Sequence, residues 1–155
     1  MSAVSIGARQ SFERPPGGRG VEDDKRLDDK LRATLVKGRR YAIIDPNDNG
    51  LMVATIGVFR KWEYATSNII VNRPDEPKNA IVFEDSTEDN VYVKKNSRWV
   101  RHSRVGRVTY FPADAWKFEI LDGRDLDAFE SVLRRDALYV EKLRDELDEH
   151  LGFKY

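Results

Sequence analysis

Leucines recur every four residues near the start of the chain, at Leu27, Leu31 and Leu35, with Glu22, Asp23 and Asp24 ahead of them and Lys37 and Gly38 behind. That spacing puts the three on one face of a helix. The acidic start, basic end and closing glycine suit the helix dipole and a left-handed last turn. The pattern predicts a short amphipathic helix over 22–38, whose narrow apolar stripe docks by one edge.

Beyond residue 39 the texture changes to short runs of β-branched and aromatic residues separated by turn clusters. They predict up to eight strands, at 41–44, 51–59, 68–71, 80–83, 91–94, 98–102, 108–111 and 116–121. The breaks are the segment 45–50, the prolines Pro74 and Pro77, the acidic loop 84–90 and the tight segment around Asn96. Short links between successive strands favour antiparallel pairing. The run from Leu51 is apolar on both faces and belongs at the centre of the sheet. In the last run Trp116, Phe118 and Ile120 alternate with Lys117 and Glu119, the pattern of a sheet wetted on one side.

The clearest periodicity spans 125–151. Leu126, Leu133, Val140 and Leu147 are spaced by seven, with Phe129 and Leu143 at intermediate positions, Asp125 as a cap and Gly152 as a stop. Such a helix is about 40 Å long at 1.5 Å per residue, against strands of about 20 Å, so its far end should protrude. Asp136 and His150 occupy heptad positions where a coiled coil takes apolar groups. Docking on the chain's own sheet and pairing with another chain are both compatible with this pattern. The six apolar residues are the candidate subunit contact.

These elements make a mainly β, α+β fold: a small antiparallel β-barrel or curled sheet with helical extensions, a short N-terminal helix and a long C-terminal helix. The organisation read from the chain is an extended arm over 1–21, the short helix over 22–38, an antiparallel β domain over 39–121, and the long helix and tail over 122–155. The arm holds Gly7, Pro15, Pro16, Gly17, Gly18 and Gly20 and few large apolar groups, too few to offset the entropy of ordering it alone.

Composition narrows the function. The 155 residues fit one domain. Charged residues make up 35% of them, above the roughly 25% usual in globular chains, which implies a contact-rich surface. There is no cysteine, hence no disulfide, thiolate metal site or cysteine nucleophile. No apolar run approaches the ~20 residues of a membrane span, and the start lacks the pattern of a signal peptide. An intracellular, cytoplasmic setting, or incorporation in a virion, is therefore expected, with no membrane partner. The net charge of zero conceals alternation: residues 1–40 and 91–121 are net basic, while 41–90 and 122–155 are net acidic. Such a chain can turn a basic patch to a polyanion and acidic parts to protein partners, or neutralise itself internally.

The basic stretch reads Lys94, Lys95, Arg98, Arg101, Arg104 and Arg107, interleaved with Tyr92, Trp99, His102 and Tyr110. Cations for phosphates beside rings that stack on bases are the ingredients of a single-strand or RNA-binding face. A solvated edge strand uses the same cations against aggregation. Lys94, Lys95, Arg98, Trp99, Arg101, Arg104 and Arg107 are the candidate polyanion contacts.

Asp45, Pro46, Asn47, Asp48, Asn49 and Gly50 match the first half of a calcium loop, but Ile56 stands where the bidentate glutamate should be. A hairpin turn uses the same residues. Asp122, Asp125 and Asp127 stand at a helix start, where capping and the dipole favour carboxylates without a metal. His102 and His150 are far apart, and no nucleophile elbow or phosphate-cradling loop is present. No catalytic residue, metal or cofactor is assigned. The reading is a non-enzymatic structural or adaptor subunit of a large assembly, such as a viral particle, with homo- or hetero-oligomeric protein partners. Its alternatives are a nucleic-acid-binding adaptor using the hairpin over 92–110, and a small metal-dependent hydrolase.

Overall fold

The computed structural model describes residues 9–13, 21–46, 51–66, 77–84, 90–103 and 105–151. In chain order the elements are strand β1 (Arg9–Glu13), helix α1 (Val21–Thr34), β2 (Arg40–Pro46), β3 (Met52–Ala65), β4 (Lys78–Glu84), β5 (Val91–Lys95), β6 (Arg98–Ser103), β7 (Arg107–Tyr110), a 3-10 turn (Pro112–Asp114), β8 (Lys117–Leu121) and helix α2 (Gly123–Leu151). The strands form one antiparallel sheet along the path β1-β8-β2-β3-β4-β7, with β5 attached to β3 and β6 to β5. The path does not close: β1 and β7 are its ends, and the barrel alternative gives way to an open sheet. Yet Tyr110 on β7 lies edge-on against Phe118 on β8 with ring centroids 5.4 Å apart, which requires that the sheet curl.

The long strand β3 makes this possible. Its first half pairs with β2 on one side and, over Met52–Thr55, with β5 on the other, while from Val58 onward it pairs with β4. The register slips between Phe59 and Lys61, so Arg60 is an inserted residue that bends and twists the strand. That bulge carries β3 to Ala65, past the end expected at residue 59. Gly57, where the partners change, lets the Phe83 side chain of β4 close over the β3 backbone.

Each face of the sheet is covered by one helix. Tyr41, Ile43, Phe59, Ile81, Phe118 and Ile120 line the inner face, and Leu31 of α1 and Leu35, just past its end, insert among them. Ala42, Ile44, Ala54, Ile56 and Leu121 line the outer face, beneath Leu126, Phe129 and Leu133 of α2. The two-residue alternation along β2 sends successive side chains to opposite cores. Tyr41 fastens the end of α1, accepting the Val36 N–H at 2.7 Å and donating to the Thr34 carbonyl at 3.3 Å. Gly38 then turns the chain into β2 with φ of 86°, donating its N–H to the Phe59 carbonyl at 2.8 Å.

Other expectations shift. The stretch read as an arm contains β1, which pairs with the edge of β8; Phe12 is buried and stacks on Phe118 at 5.2 Å. One aromatic side chain and an open sheet edge suffice to recruit those five residues. The strand expected at 68–71 lies outside the described residues. Helix α2 begins at Gly123, ahead of the expected cap; Asp125 falls in its first turn, and Asp122 pairs with Arg39 at 3.2 Å. Between β5 and β6, Asn96 and Ser97 both have positive φ (50° and 65°), the backbone a tight hairpin turn demands.

A part-buried phenol–carboxylate pair gives the fold an alkaline signature. Tyr110 donates to Asp45 Oδ2 at 2.9 Å. Burial first, and the adjacent Asp45 carboxylate second, push the Tyr110 pKa well above its usual value near 10. The folded state therefore holds a proton that the unfolded chain releases, so this contribution is intact below about pH 10 and is lost as pH rises above it. The unfolding free energy should fall by up to about 1.4 kcal/mol per pH unit above pH 10 for this group. Urea titrations at about pH 9 and 11 should show a shallower fall in Tyr110→Phe; an unchanged pH dependence would refute the assignment.

Candidate interaction surface

The described candidate polyanion residues stand in different settings. Trp99 is 6% exposed, its ring edge-on to Phe129 at 5.2 Å beneath α2. It is a core residue, turned toward the helix by strand alternation, and not an exposed stacking platform. The Arg98 guanidinium lies 3.4 Å from Asp136 Oδ1 and 3.6 Å above the centre of the Tyr139 ring. Arg107, on β7, pairs with Glu63 and lies 3.9 Å from Glu84. Lys94 and Lys95 are exposed at the hairpin end, and Arg101 is exposed on β6 opposite Tyr92. Arg104 lies outside the described residues. Carboxylates of the same chain already engage Arg98 and Arg107, the internal neutralisation that the charge alternation allowed.

The structure also divides the candidate subunit contact. Leu126, Phe129 and Leu133 are buried in the chain's own outer core and are withdrawn from any partner. Val140, Leu143 and Leu147 continue the same stripe past the buried core; Val140 is half-buried, while Leu143 and Leu147 are 45% and 51% exposed. Tyr139 borders this stripe and Leu138 lies across the helix from it, both exposed.

Between the two halves stands Asp136, 1% exposed. Its Oδ2 accepts the Trp99 backbone N–H at 2.9 Å, and Oδ1 lies 3.4 Å from Arg98 and 3.6 Å from Arg135. The heptad pattern marks this residue only as a defect. It is the point where α2 grips the outer edge of β6, and the signal available in the sequence was a charge placed in an apolar stripe, which needs a polar partner when buried.

Other candidate chemistry is occupied or dispersed. Asp45 and Pro46, from the calcium-like segment, belong to β2, and Asp45 receives the Tyr110 hydroxyl; 47–50 lie outside the described residues. Among the described residues, no group of three or more histidines and carboxylates is placed to hold a metal ion. No helix among them is long and apolar enough to cross a membrane. The chain matches no family model, no curated protein and no solved structure.

Proposed function

We propose that this chain is a non-enzymatic structural or adaptor subunit of a larger assembly, and that the distal half of α2 makes a helix-to-helix contact with a second copy of the chain. One observation carries this reading: the stripe that docks α2 on the sheet runs on past the buried core, through half-buried Val140 to exposed Leu143 and Leu147. A docking helix has no need of apolar residues on that face once its own core is behind it. Closed symmetric pairing of identical chains is the commonest form of assembly.

Three side chains per copy make a small contact, and association entropy offsets much of their burial, so a dissociation constant of about 10–100 µM is expected. Light scattering from about 10 to 500 µM should show the mass rising from 17.9 kDa toward twice that value. Leu143→Glu/Leu147→Glu should hold it at the monomer mass without changing the melting temperature by more than about 2 °C, since both residues lie outside the core. A chain that stays monomeric throughout, or a double variant that associates as the wild type does, would overturn the proposal.

A further inference from the structure

A groove of about 420 Å³ lies under the first half of α2, on the outer face of the sheet. Its floor is apolar, with Ile44, Met52, Trp99, Phe129 and Val132, while Arg9, Lys94, Lys117 and Glu119 supply its charge. The volume falls within the roughly 300–1,000 Å³ typical of small-molecule sites.

The strand ladder explains how residues distant in sequence meet here. Lys94 stands opposite Met52 and Met52 opposite Pro46. Ile44 stands opposite Glu119, which puts Lys117 level with Pro46 on the far side. Two ammonium-bearing strands thus flank a floor two strands wide, their backbones about 14 Å apart at ~4.8 Å per strand.

The charges are not balanced. Glu119 is taken by Arg9 at 3.4 Å and by the Ser11 hydroxyl at 3.5 Å. Lys94 and Lys117 have aromatic rings as their neighbours, Trp99 at 5.8 Å and Trp116 at 5.2 Å. Among the described residues neither ammonium forms an ion pair. Glu13, opposite Lys117 on β1, is exposed and outside the lining.

We propose that this groove binds a small amphipathic carboxylate, its apolar body on Met52, Trp99 and Val132 and its carboxylate against Lys94 or Lys117. An apolar floor supplies area-dependent affinity, and lysine at the rim supplies a charge-assisted hydrogen bond and orientation. The site is independent of the distal helix contact, because its walls come from β1, β2, β3, β5, β6, β8 and the docked half of α2.

Calorimetric titration of the full chain with decanoate, below its aggregation limit, tests this. Saturable binding of one decanoate per chain is expected, with about tenfold weaker binding to Lys94→Gln/Lys117→Gln and to decanol in place of decanoate. Both lysines are exposed, so the double variant should keep its fold, as circular dichroism can confirm. Absence of saturable binding up to about 1 mM would overturn the proposal, as would equal binding of decanol or an undiminished affinity of the double variant.

Discussion

Replacing Asp136 by alanine is expected to cost about 3 kcal/mol of stability, as much as truncating one of the buried leucines of α2. The carboxylate is buried, and the N–H it accepts from Trp99 points away from β5 at the outer edge of the sheet. Alanine leaves that buried donor without a partner and opens a void beside the Trp99 backbone. Arg98 and Arg135 add less than their charges suggest, because both are substantially exposed and their attraction is screened. Asp136→Asn keeps an acceptor for the Trp99 N–H and should recover about half the loss, while Arg98→Ala should cost under about 1 kcal/mol. At about 2–4 °C per kcal/mol for a chain of this size, Asp136→Ala should melt about 6–12 °C below the wild type. A difference under about 0.5 kcal/mol between Asp136→Ala and the wild type in urea unfolding would show that the carboxylate does not hold the helix.

The same residue shows how far the sequence could be read. Periodicity found both helices and most of the strands, because amphipathic spacing depends on local geometry. It could not say where α2 leaves the sheet, since a stripe facing a sheet and a stripe facing another helix have the same spacing. Asp136 marked the transition, but identifying its partner required knowing that β6 lies at an edge with Trp99 turned inward. The basic hairpin was ambiguous for a related reason. Interleaved cations and aromatics describe both a nucleic-acid face and an edge hairpin under a helix, and the sequence does not say to which side Trp99 points.

Features made by topology were less legible still. Lys94 and Lys117 meet at one groove because β5 attaches to the first half of β3 while β8 lies beside β2. Nothing local in either strand encodes that. Tyr110 and Asp45 likewise meet only because the sheet curls. The strand at Arg9–Glu13 carries little local signal because its flanks are rich in glycine and proline, and its one apolar anchor, Phe12, gains value only beside Phe118.

Curling of the sheet makes Gly57→Ala the second large effect, expected to cost about 2–3 kcal/mol. A β-carbon at this position would stand 2.7 Å from Phe83 Cβ and 3.2 Å from its Cγ. Those atoms adjoin the β4 backbone, and Phe83 is 1% exposed, so relief requires β4 itself to move away from β3. Alanine's smaller loss of unfolded-chain entropy returns only about 0.4–1 kcal/mol. Gly106→Ala is the matched control. Nothing lies within 4 Å of its would-be β-carbon, and its φ is not positive, so it should be neutral or stabilising by up to about 1 kcal/mol. Phe83→Gly in the Gly57→Ala background should then cost less than in the wild type, because it removes both the Cβ and the Cγ that crowd the new methyl, a coupling of about 1 kcal/mol or more in a double-mutant cycle. If Gly57→Ala melts with Gly106→Ala, β4 does not close over β3 at this point, and the bend that brings Tyr110 to Asp45 must come from the bulge at Arg60 alone.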